Sequence, residues 1–400
     1  MKRIYIAAYH QSKFGKLLNM TVPEIAKNAI ANVCSEINAD PALLDVGTVG
    51  AACNISLNDQ GLVSGLVASV PGLSGKPIES VENACASGGQ AILATILKLQ
   101  AGWGDTGFAM GYEKMRDADG KMDGKKVGSA LGVFSHPEER VGKTYIFPHL
   151  FAEIQAAYMA KYGVSEYELA SIAAQEYANG NLNPLAQMTK VRVSREEAAT
   201  VGERNRYIID GLPLKTYECS QITDGYATLI LATEEGLRKL GVSRADAVEI
   251  AGYAQATDSL RVSDRDPLTP YGARIAMHKA YEMAGVRPDQ VDVAEVHDCF
   301  SVTGAIGTEV LGVAQPGDGA KYWANGMAAV DGGRTSINLS GGLIAAGHAV
   351  GATGVRMLGD CFRQLRGRAP AGLQRKDAEI AATFNVGGTL CASVCTVLKR

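Results

Sequence analysis

The sequence predicts an α/β protein of two related halves with a further segment inserted between them. Strand-like and helix-like patterns alternate along its 400 residues, and its 46 glycines are dispersed, as tight strand-to-helix turns require. The order of elements that begins at Ile6 recurs from Ile250. So long a repeat indicates a duplicated α/β unit rather than a solenoid, and alternating strands and helices predict mostly parallel sheets.

Each half contains a strand, an amphipathic helix, a second strand, a glycine-rich turn that leads into a helix, and a closing strand. Two such units are expected to pack with pseudo-two-fold symmetry, so that equivalent elements face each other. In the first half the elements are IAAYHQ from Ile6, IAKNAIANVCSEI from Ile25, VGTVGAA from Val46, ACASGGQAILATILKLQAG and GFAMGYE. In the second half they are IAGYAQ from Ile250, IAMHKAYEMAGV from Ile275, VAEVHDC from Val293, AGHAVGATGVRMLGDCFRQLRG and AEIAATFNVGG.

These elements divide the chain into a first half at 1–113, an insertion at 114–245 and a second half at 246–400, with 220–245 as a part that can return to the first half. The insertion opens with polar residues and continues with helical patterns, one of them preceded by a capping-box signature at Ser165-x-x-Glu168. We expect it to lie over the site of chemistry. The alternative is a surface elaboration without a role in the reaction.

Composition and charge exclude several classes of protein. The chain is 46% hydrophobic and carries a net charge of −3 without a basic stripe, which argues against nucleic-acid binding. The apolar run from Ile4 to Tyr9 is too short for a signal peptide or a membrane span and predicts a buried first strand. We therefore expect a cytoplasmic protein whose eight cysteines stay reduced; the absence of any C-x-x-C pair predicts no metal site.

The first candidate for chemistry is Cys85, in ENACASGGQA at a strand-to-helix turn. A thiol at a helix start is expected to have a pKa below the free value of about 8.5, because the helix dipole favours the thiolate. Free backbone N–H groups of the same turn suit an oxyanion hole. The alternative is a small buried cysteine with no chemical role.

His348, in SGGLIAAGHAVGATG, occupies the equivalent helix start of the second half. Pseudo-symmetry would bring it beside Cys85, and a histidine beside a cysteine is the arrangement that makes a thiolate at neutral pH. A lone histidine among small residues is otherwise structural.

A third motif, HDCF, follows the strand Val293–Val296. Parallel sheets place their chemistry at this carboxyl edge, and alternation along the chain lets His297 and Cys299 share one face while Asp298 points away. The alternative is a packed histidine and a buried cysteine. A fourth motif, FNVGGTL, sets two glycines after a strand, where an N–H can face the site.

Together the motifs resemble those of the thiolases, in particular the sterol-carrier-protein-linked type and its bacterial and archaeal relatives. The resemblance covers nearly the whole chain and depends on Cys-Ala-Ser-Gly at Cys85, His-Asp-Cys-Phe at 297–300 and Gly-His-x-x-Gly-Ala at 347–352. It implies a duplicated thiolase fold, with two βαβαβ-type halves in a layered αβαβα arrangement and the insertion as a loop domain.

The resemblance also implies roles for the matching residues. Cys85 would carry the acyl group as a thioester, and His348 would activate it. His297 and His348 would hold the enolate oxygen, while the N–H groups of Cys85 and Gly387 would form a second oxyanion hole. Asn385 stands where other thiolases keep a second catalytic cysteine, so Cys299 would move the α-carbon proton.

The chain departs from the family pattern in two places and adds an unusual histidine. Ala349 replaces the usual proline after the catalytic histidine, and Ala346 replaces a basic residue. His149, in FPHLFAE, is a candidate for contact with the acyl group, as is Asn385. A surface or structural role is the alternative for His149.

The implied function is reversible cleavage of a 3-oxoacyl-CoA by coenzyme A to acetyl-CoA, or another short acyl-CoA, and a shortened acyl-CoA. Coenzyme A would be a substrate, with no permanently bound cofactor and no metal. A homodimer or a dimer of dimers is expected. One alternative is a thiolase for bulky, aromatic or branched substrates, or a biosynthetic C-acyltransferase, working with a zinc-ribbon/OB-fold companion. Another is a non-catalytic acyl-CoA-binding protein, for which four reactive residues would be unnecessary.

Overall fold

A computed structural model describes residues 2–143 and 145–400 and contains ten strands in one continuous sheet. The strand order is β3-β2-β4-β5-β1-β6-β10-β9-β7-β8. The strands are β1 Tyr5–Gln11, β2 Val46–Gly50, β3 Ile78–Val81, β4 Thr106–Glu113, β5 Gly225–Ala232, β6 Val248–Thr257, β7 Val293–Val296, β8 Ser336–Ile337, β9 Ile380–Gly387 and β10 Ala392–Lys399.

The strand order shows the predicted duplication. Reading outward from the centre, β1-β5-β4-β2-β3 corresponds to β6-β10-β9-β7-β8, and the halves meet through a short antiparallel pairing of Tyr5 with Glu249 and Ile6 with Val248. The expectation of mostly parallel sheets is wrong. Parallel pairing is confined to the three outer strands of each half. β10 follows β9 after a short connection, and the two strands are antiparallel. β5 is likewise antiparallel to β4, although the whole insertion lies between them.

Helices occupy three layers around the two halves of the sheet. They are α1 Val22–Ser35, α2 Asn54–Asn58, α3 Val63–Ala68, α4 Ser87–Gln100, α5 Gly124–Gly132, α6 Ile146–Tyr162, α7 Glu166–Leu182, α8 Arg195–Ala199, α9 Glu234–Leu240, α10 Tyr271–Ala284, α11 Ser301–Val310, α12 Gly319–Ala324, α13 Gly342–Ala346 and α14 Thr353–Leu365. α4 and α14 contact each other and strands of both halves, so they form the central layer. α1 covers the first half and α10 the second, which gives the expected αβαβα order.

The insertion folds mainly as helices α5 to α8, and α7 begins after the predicted capping box. The Ser165 side chain accepts from the N–H of Glu168, and the Glu168 carboxylate accepts from the N–H of Ser165 at 2.7 Å. β5 lies between β4 and β1, so 225–232 belongs to the sheet of the first half. The segment just before β5 crosses the site: Ser220 donates its N–H to the carbonyl of Cys299, and Ile222 bridges to His348.

All eight cysteines are free thiols. Among the described residues, every helix is too short or too polar to cross a lipid bilayer.

Candidate active site

Cys85 lies in a strained turn between β3 and α4. The residue before it, Ala84, has a φ of +47°, a left-handed conformation that is uncommon for a residue with a Cβ. Ser87 holds the turn closed, because its hydroxyl accepts from the N–H of Asn83 at 2.9 Å and donates to the carbonyl of Ala84 at 2.6 Å. The turn presents the Cys85 thiol to a cavity.

Glycines allow the starts of the two central helices to touch. A Cβ on Gly88 would lie 2.7 Å from the carbonyl oxygen of Gly351, and one on Gly354 would lie 2.2 Å from the nitrogen of Gly89. Only hydrogen at these positions permits such an approach. The prediction that equivalent helix starts meet is therefore confirmed.

His348 faces Cys85 from the turn before α14. Its backbone N–H donates to the hydroxyl of Thr223 at 2.9 Å, which ties it to the inserted segment. Its ring Nδ1 lies 2.7 Å from the hydroxyl of Thr353, leaving Nε2 as the nitrogen free to meet the reacting groups.

His297 approaches the same point from the end of β7. Its ring centroid lies 5.1 Å from that of His348, with the ring planes at 87°. One side-chain nitrogen of each histidine and the Cys85 sulfur all lie within 4.8 Å of one another. Such atoms are also of the type that bind zinc, so their role depends on the chemistry around them.

Cys299 lies next to this group and also lines the cavity. Its sulfur is 3.7 Å from the hydroxyl of Thr303, one turn along α11. Asp298 points away, as expected, but it has a definite task there. Its buried carboxylate accepts from the N–H groups of Leu343 and Ile344, at 2.8 and 3.1 Å, and so anchors the segment that leads to His348.

The pKa of Cys85 differs from the sequence-based expectation. Burial and the nearby Glu113 carboxylate raise the pKa of the Cys85 thiol to about 12, although the N–H groups of Cys85 and Gly388 oppose the shift. The expected lowering by the helix start is therefore outweighed by removal of the thiol from water. In the free protein Cys85 is a neutral thiol.

The other reactive groups are also held neutral. Burial, with a smaller effect of Arg356, lowers the pKa of His348 to about 3. Burial and the neighbouring His348 lower the pKa of His297 well below its usual range. Burial raises the pKa of Cys299 well above that of a free thiol. The site thus contains two thiols and two imidazoles, all uncharged, before substrate binds.

The motif after β9 supplies different groups from those expected. Gly388, rather than Gly387, lines the cavity, and its N–H points toward the Cys85 sulfur. Gly387 packs beneath the turn, where a Cβ would lie 2.3 Å from the carbonyl oxygen of Asn83. Asn385 is buried and bonds to Cys85, Gly89 and His297; it lies behind the cavity and does not line it.

His149 does not lie where a contact with an acyl group requires. Its Nε2 lies 3.0 Å from a carboxylate oxygen of Glu153, one turn along α6, and its side chain is 26% exposed. Its neighbours Phe147 and Pro148 line the cavity, but His149 is turned outward. The surface alternative describes its position.

The cavity at Cys85 measures about 140 Å³ and is mostly apolar. Its polar edge comes from Ser220 and Gln221, both in the segment that precedes β5. The apolar side chains around it are Met115, Leu131, Phe147, Phe151, Phe300 and Val350.

Several residues that support the site have no sequence signature. Thr223, Thr303 and Thr353 bond to His348 and Cys299, yet each is an ordinary threonine in the sequence. Glu113 is fully buried at the end of β4 and accepts from the N–H groups of Ala52, Cys53 and Gly351. The one sequence feature that could have indicated Glu113 is its place, as a carboxylate at the end of the closing strand of the first half.

Comparisons with known proteins cover nearly the entire chain. Residues 4–235 match the family described as Thiolase, N-terminal domain, and residues 254–400 match Thiolase C-terminal domain-like. An acetyl-CoA acetyltransferase of Methanothermobacter thermautotrophicus is 32% identical over 100% of both chains. Sterol carrier protein 2 of Bos taurus is 30% identical, covering 96% of this chain and 70% of the relative. Benzoylsuccinyl-CoA thiolase subunit BbsB of Thauera aromatica is 26% identical, covering 97% and 95%.

Solved structures agree on the fold. One named Ltp2-ChsH2(DUF35) aldolase superposes with a TM-score of 0.81 at 19% identity, covering 100% of this chain and 98% of the other. Human mitochondrial 3-ketoacyl-CoA thiolase superposes with a TM-score of 0.74 at 16% identity, covering 100% and 99%. With both halves matched and the duplicated fold in place, the chain belongs to the thiolase superfamily and is an acyltransferase enzyme.

Proposed function

We propose that this thiolase catalyses the reversible cleavage of a 3-oxoacyl-CoA by coenzyme A, through a thioester on Cys85. The observation that carries the proposal is the convergence of the Cys85 sulfur and a nitrogen of His297 and of His348 within 4.8 Å, beside Cys299. A binding protein has no use for two thiols and two imidazoles held neutral so close together.

In the first half-reaction Cys85 attacks the C3 carbonyl of the substrate. His348 takes the thiol proton as the sulfur attacks, because the pKa of about 12 keeps that proton in place until then. The C2–C3 bond breaks, and its electron pair forms the enolate of acetyl-CoA. His297 and His348 then donate to that enolate oxygen, and each such donor contributes about 3 kcal/mol.

Cys299 then protonates C2, which releases acetyl-CoA. The proton that Cys85 gave to His348 balances the one that Cys299 gives away, so the first half-reaction consumes none. Coenzyme A next attacks the acyl group on Cys85, and its thiol proton passes to the Cys299 thiolate. The bond between Cys85 and the acyl group breaks, the Cys85 sulfur takes back the proton held by His348, and the shortened acyl-CoA leaves. In the synthetic direction Cys299 first protonates the departing coenzyme A, and the resulting thiolate removes the α-proton, a step that suits an acid/base held beside the reacting carbon.

The route for coenzyme A is supported by a row of adjacent cavities that share lining residues. The cavity at Cys85 shares Leu131, Phe147 and Ile222 with a second one of about 230 Å³, which shares Gly128 and Ile146 with a third of about 280 Å³. The third is lined by cationic side chains, from Lys125, Arg140 and Lys143. An apolar passage with a cationic outer end suits a pantetheine arm followed by phosphates. We propose coenzyme A as a substrate, with no permanently bound cofactor.

The size of the inner cavity favours acyl groups larger than acetyl. About 150 Å³ of apolar space accommodates a benzene ring, and the cavity at Cys85 has about 140 Å³ lined by three phenylalanines. This supports the second candidate, a thiolase or C-acyltransferase for bulky or aromatic 3-oxoacyl-CoA. Comparison of kcat/KM for acetoacetyl-CoA and for an aryl 3-oxoacyl-CoA distinguishes the two; a preference for acetoacetyl-CoA would reject the bulky substrate.

Partner subunits belong to the same proposal. One relative is named as a subunit, and one structure's name joins Ltp2 to ChsH2(DUF35), which supports a companion subunit. We propose that this companion is of the zinc-ribbon/OB-fold type. We also propose a homodimer, because β3 is an outer edge strand and Ile55, Leu62 and Val133 near it are 74%, 80% and 56% exposed. Light scattering that gave a monomeric mass would reject the dimer.

Eight free thiols favour a cytoplasmic location.

Acyl-enzyme formation tests the central claim. Incubation with an acyl-CoA should add the mass of the acyl group to the peptide that contains Cys85, and Cys85→Ala should abolish the addition. Cys219→Ala is the matched control, since that thiol lines the same cavity. An acyl adduct that survives Cys85→Ala would show that the nucleophile lies elsewhere.

A further inference from the structure

The side chain of Asn385 connects the turn of Cys85, the start of α4 and the ring of His297 from behind the cavity. Its Nδ2 donates to the carbonyl of Cys85 at 3.1 Å and lies 3.1 Å from Nδ1 of His297. Its Oδ1 accepts from the N–H of Gly89 at 3.2 Å. An N–H can only donate and a carbonyl can only accept, so Gly89 and Cys85 together determine which end of the amide is nitrogen.

This orientation determines the tautomer of His297. One hydrogen of the amide nitrogen goes to Cys85 and the other points at Nδ1 of His297, which must therefore accept. Burial and the neighbouring His348 lower the pKa of His297, so the ring is neutral and carries one proton. That proton is on Nε2, the nitrogen on the far side of the ring from Asn385.

We propose that Asn385 is a positioning residue that fixes His297 as an Nε2–H donor toward the reacting oxygen. A neutral imidazole with the opposite tautomer would aim a lone pair at the enolate oxygen and repel it. Asn385 also links this donor to the turn of Cys85, so the nucleophile and the donor keep their spacing. The assignment rests on the proposed role of His297 in the reaction.

The surroundings leave room for an amide of this size and no larger side chain. Asn385 is 2% exposed, and a Cβ on Gly354 or Gly89 would lie 2.3 or 2.7 Å from its Oδ1. The amide of Asn385 makes three polar contacts, with the carbonyl of Cys85, Nδ1 of His297 and the N–H of Gly89. Aspartate has the same shape, but its second oxygen accepts where the amide donates, so Asn385→Asp should reverse the tautomer of His297.

Nitrogen NMR of protein with ¹⁵N-labelled histidine reads the tautomer directly. The chain has six histidines, and the signals of His297 are those lost in His297→Gln. In the wild-type protein we expect Nδ1 of His297 to be unprotonated and Nε2 protonated, and Asn385→Asp should exchange the two. Asn183→Asp is the control, because Asn183 is also buried and bonds to the backbone through both ends of its amide.

A protonated Nδ1 in the wild-type protein would overturn the proposal, and this measurement needs no variant other than the one used for assignment. So would a tautomer that stays unchanged in a folded Asn385→Asp protein. Deuterium exchange at the α-carbon of acetyl-CoA should fall by about 10² to 10³-fold in Asn385→Asp and stay within about twofold in Asn183→Asp. A reversed tautomer with normal exchange would leave the positioning role standing and instead reject the proposed function of His297.

Discussion

The two halves of this duplicated fold place different chemistry at equivalent positions. The end of β7 continues into His297, Asp298 and Cys299, whereas the equivalent end of β2 continues through Gly50, Ala51 and Ala52. A Cβ on Gly50 would lie 2.3 Å from the carbonyl oxygen of Ser87, so α4 packs where a histidine would stand. The first half therefore supplies the nucleophile and its close packing, and the second half supplies the groups that move protons and hold charge.

The closing strands of the two halves show the same division. β4 ends in Glu113, whose carboxylate accepts three backbone N–H groups and whose pKa is raised to about 7 by burial. β9 carries Asn385 near its end, which bonds to His297 and to the turn of Cys85. The strand registers make Gly111 the counterpart of Asn385 and Gly387 the counterpart of Glu113, so the two halves carry their polar side chains at different positions. Glu113 joins pieces of scaffold, while Asn385 bonds to a histidine of the site. A duplicated scaffold can thus keep its symmetry in the backbone and lose it in the side chains.

The largest expected effect is at His348. His348→Ala should slow acylation of Cys85 by about 10³-fold, because the thiol then keeps its proton as it attacks. Rapid-quench mass spectrometry of the acyl-enzyme measures this rate. His149→Ala serves as the control, since that ring pairs with Glu153 at the surface, and it should stay within about twofold of wild type. A normal acylation rate in His348→Ala would show that another group takes the thiol proton, and the claim that the second half supplies the base through His348 would be wrong.

Loss of Cys299 should separate acylation of Cys85 from exchange of the α-proton. Cys299→Ala should keep the acylation rate of Cys85 within about tenfold and reduce α-proton exchange in acetyl-CoA by about 10² to 10³-fold, because the acid/base is missing from one step only. Deuterium incorporation followed by mass spectrometry reports the exchange. Cys34→Ala, a buried thiol in α1, is the control. Unchanged exchange would show that Cys299 is only part of the core.

The next largest effect, about 100-fold, is the change with pH in the rate at which Cys85 is alkylated. A pKa raised to about 12 means that the thiolate fraction increases tenfold per pH unit below that value. Alkylation of Cys85 in the free enzyme by iodoacetamide should therefore accelerate about 100-fold from pH 7 to pH 9, measured on the Cys85 peptide. A rate that levels off in this range would indicate a thiolate stabilised by the helix start, as the sequence alone suggested.

The repeat and the motifs were readable from the sequence because they depend on local patterns. The duplicated α/β unit, the turn at Cys85 and the meeting of the two helix starts follow from strand and helix periodicity and from paired glycines, whereas the αβαβα layering was implied by the resemblance to the thiolases. The pKa of Cys85 was not readable, because it depends on burial of the thiol in the folded chain and on the charge of Glu113, which is distant in sequence. The exposure of His149 and the inward position of Asn385 likewise depend on packing that adjacent residues do not specify.

The smallest expected effect concerns the contact that joins the halves. Alanine at an exposed helical glycine normally stabilises a protein by about 0.5 to 1 kcal/mol, and Gly65→Ala in α3 should do so because a Cβ there meets nothing closer than 3.5 Å. Gly354→Ala should instead destabilise by about 1 to 3 kcal/mol, since its Cβ would lie 2.2 Å from the nitrogen of Gly89 and 2.3 Å from Oδ1 of Asn385. Urea unfolding of the two variants gives opposite signs if the helix starts touch as described. Equal stabilisation by both would mean that α4 and α14 stand further apart in solution, and that Cys85 and His348 owe their proximity to something other than these glycines.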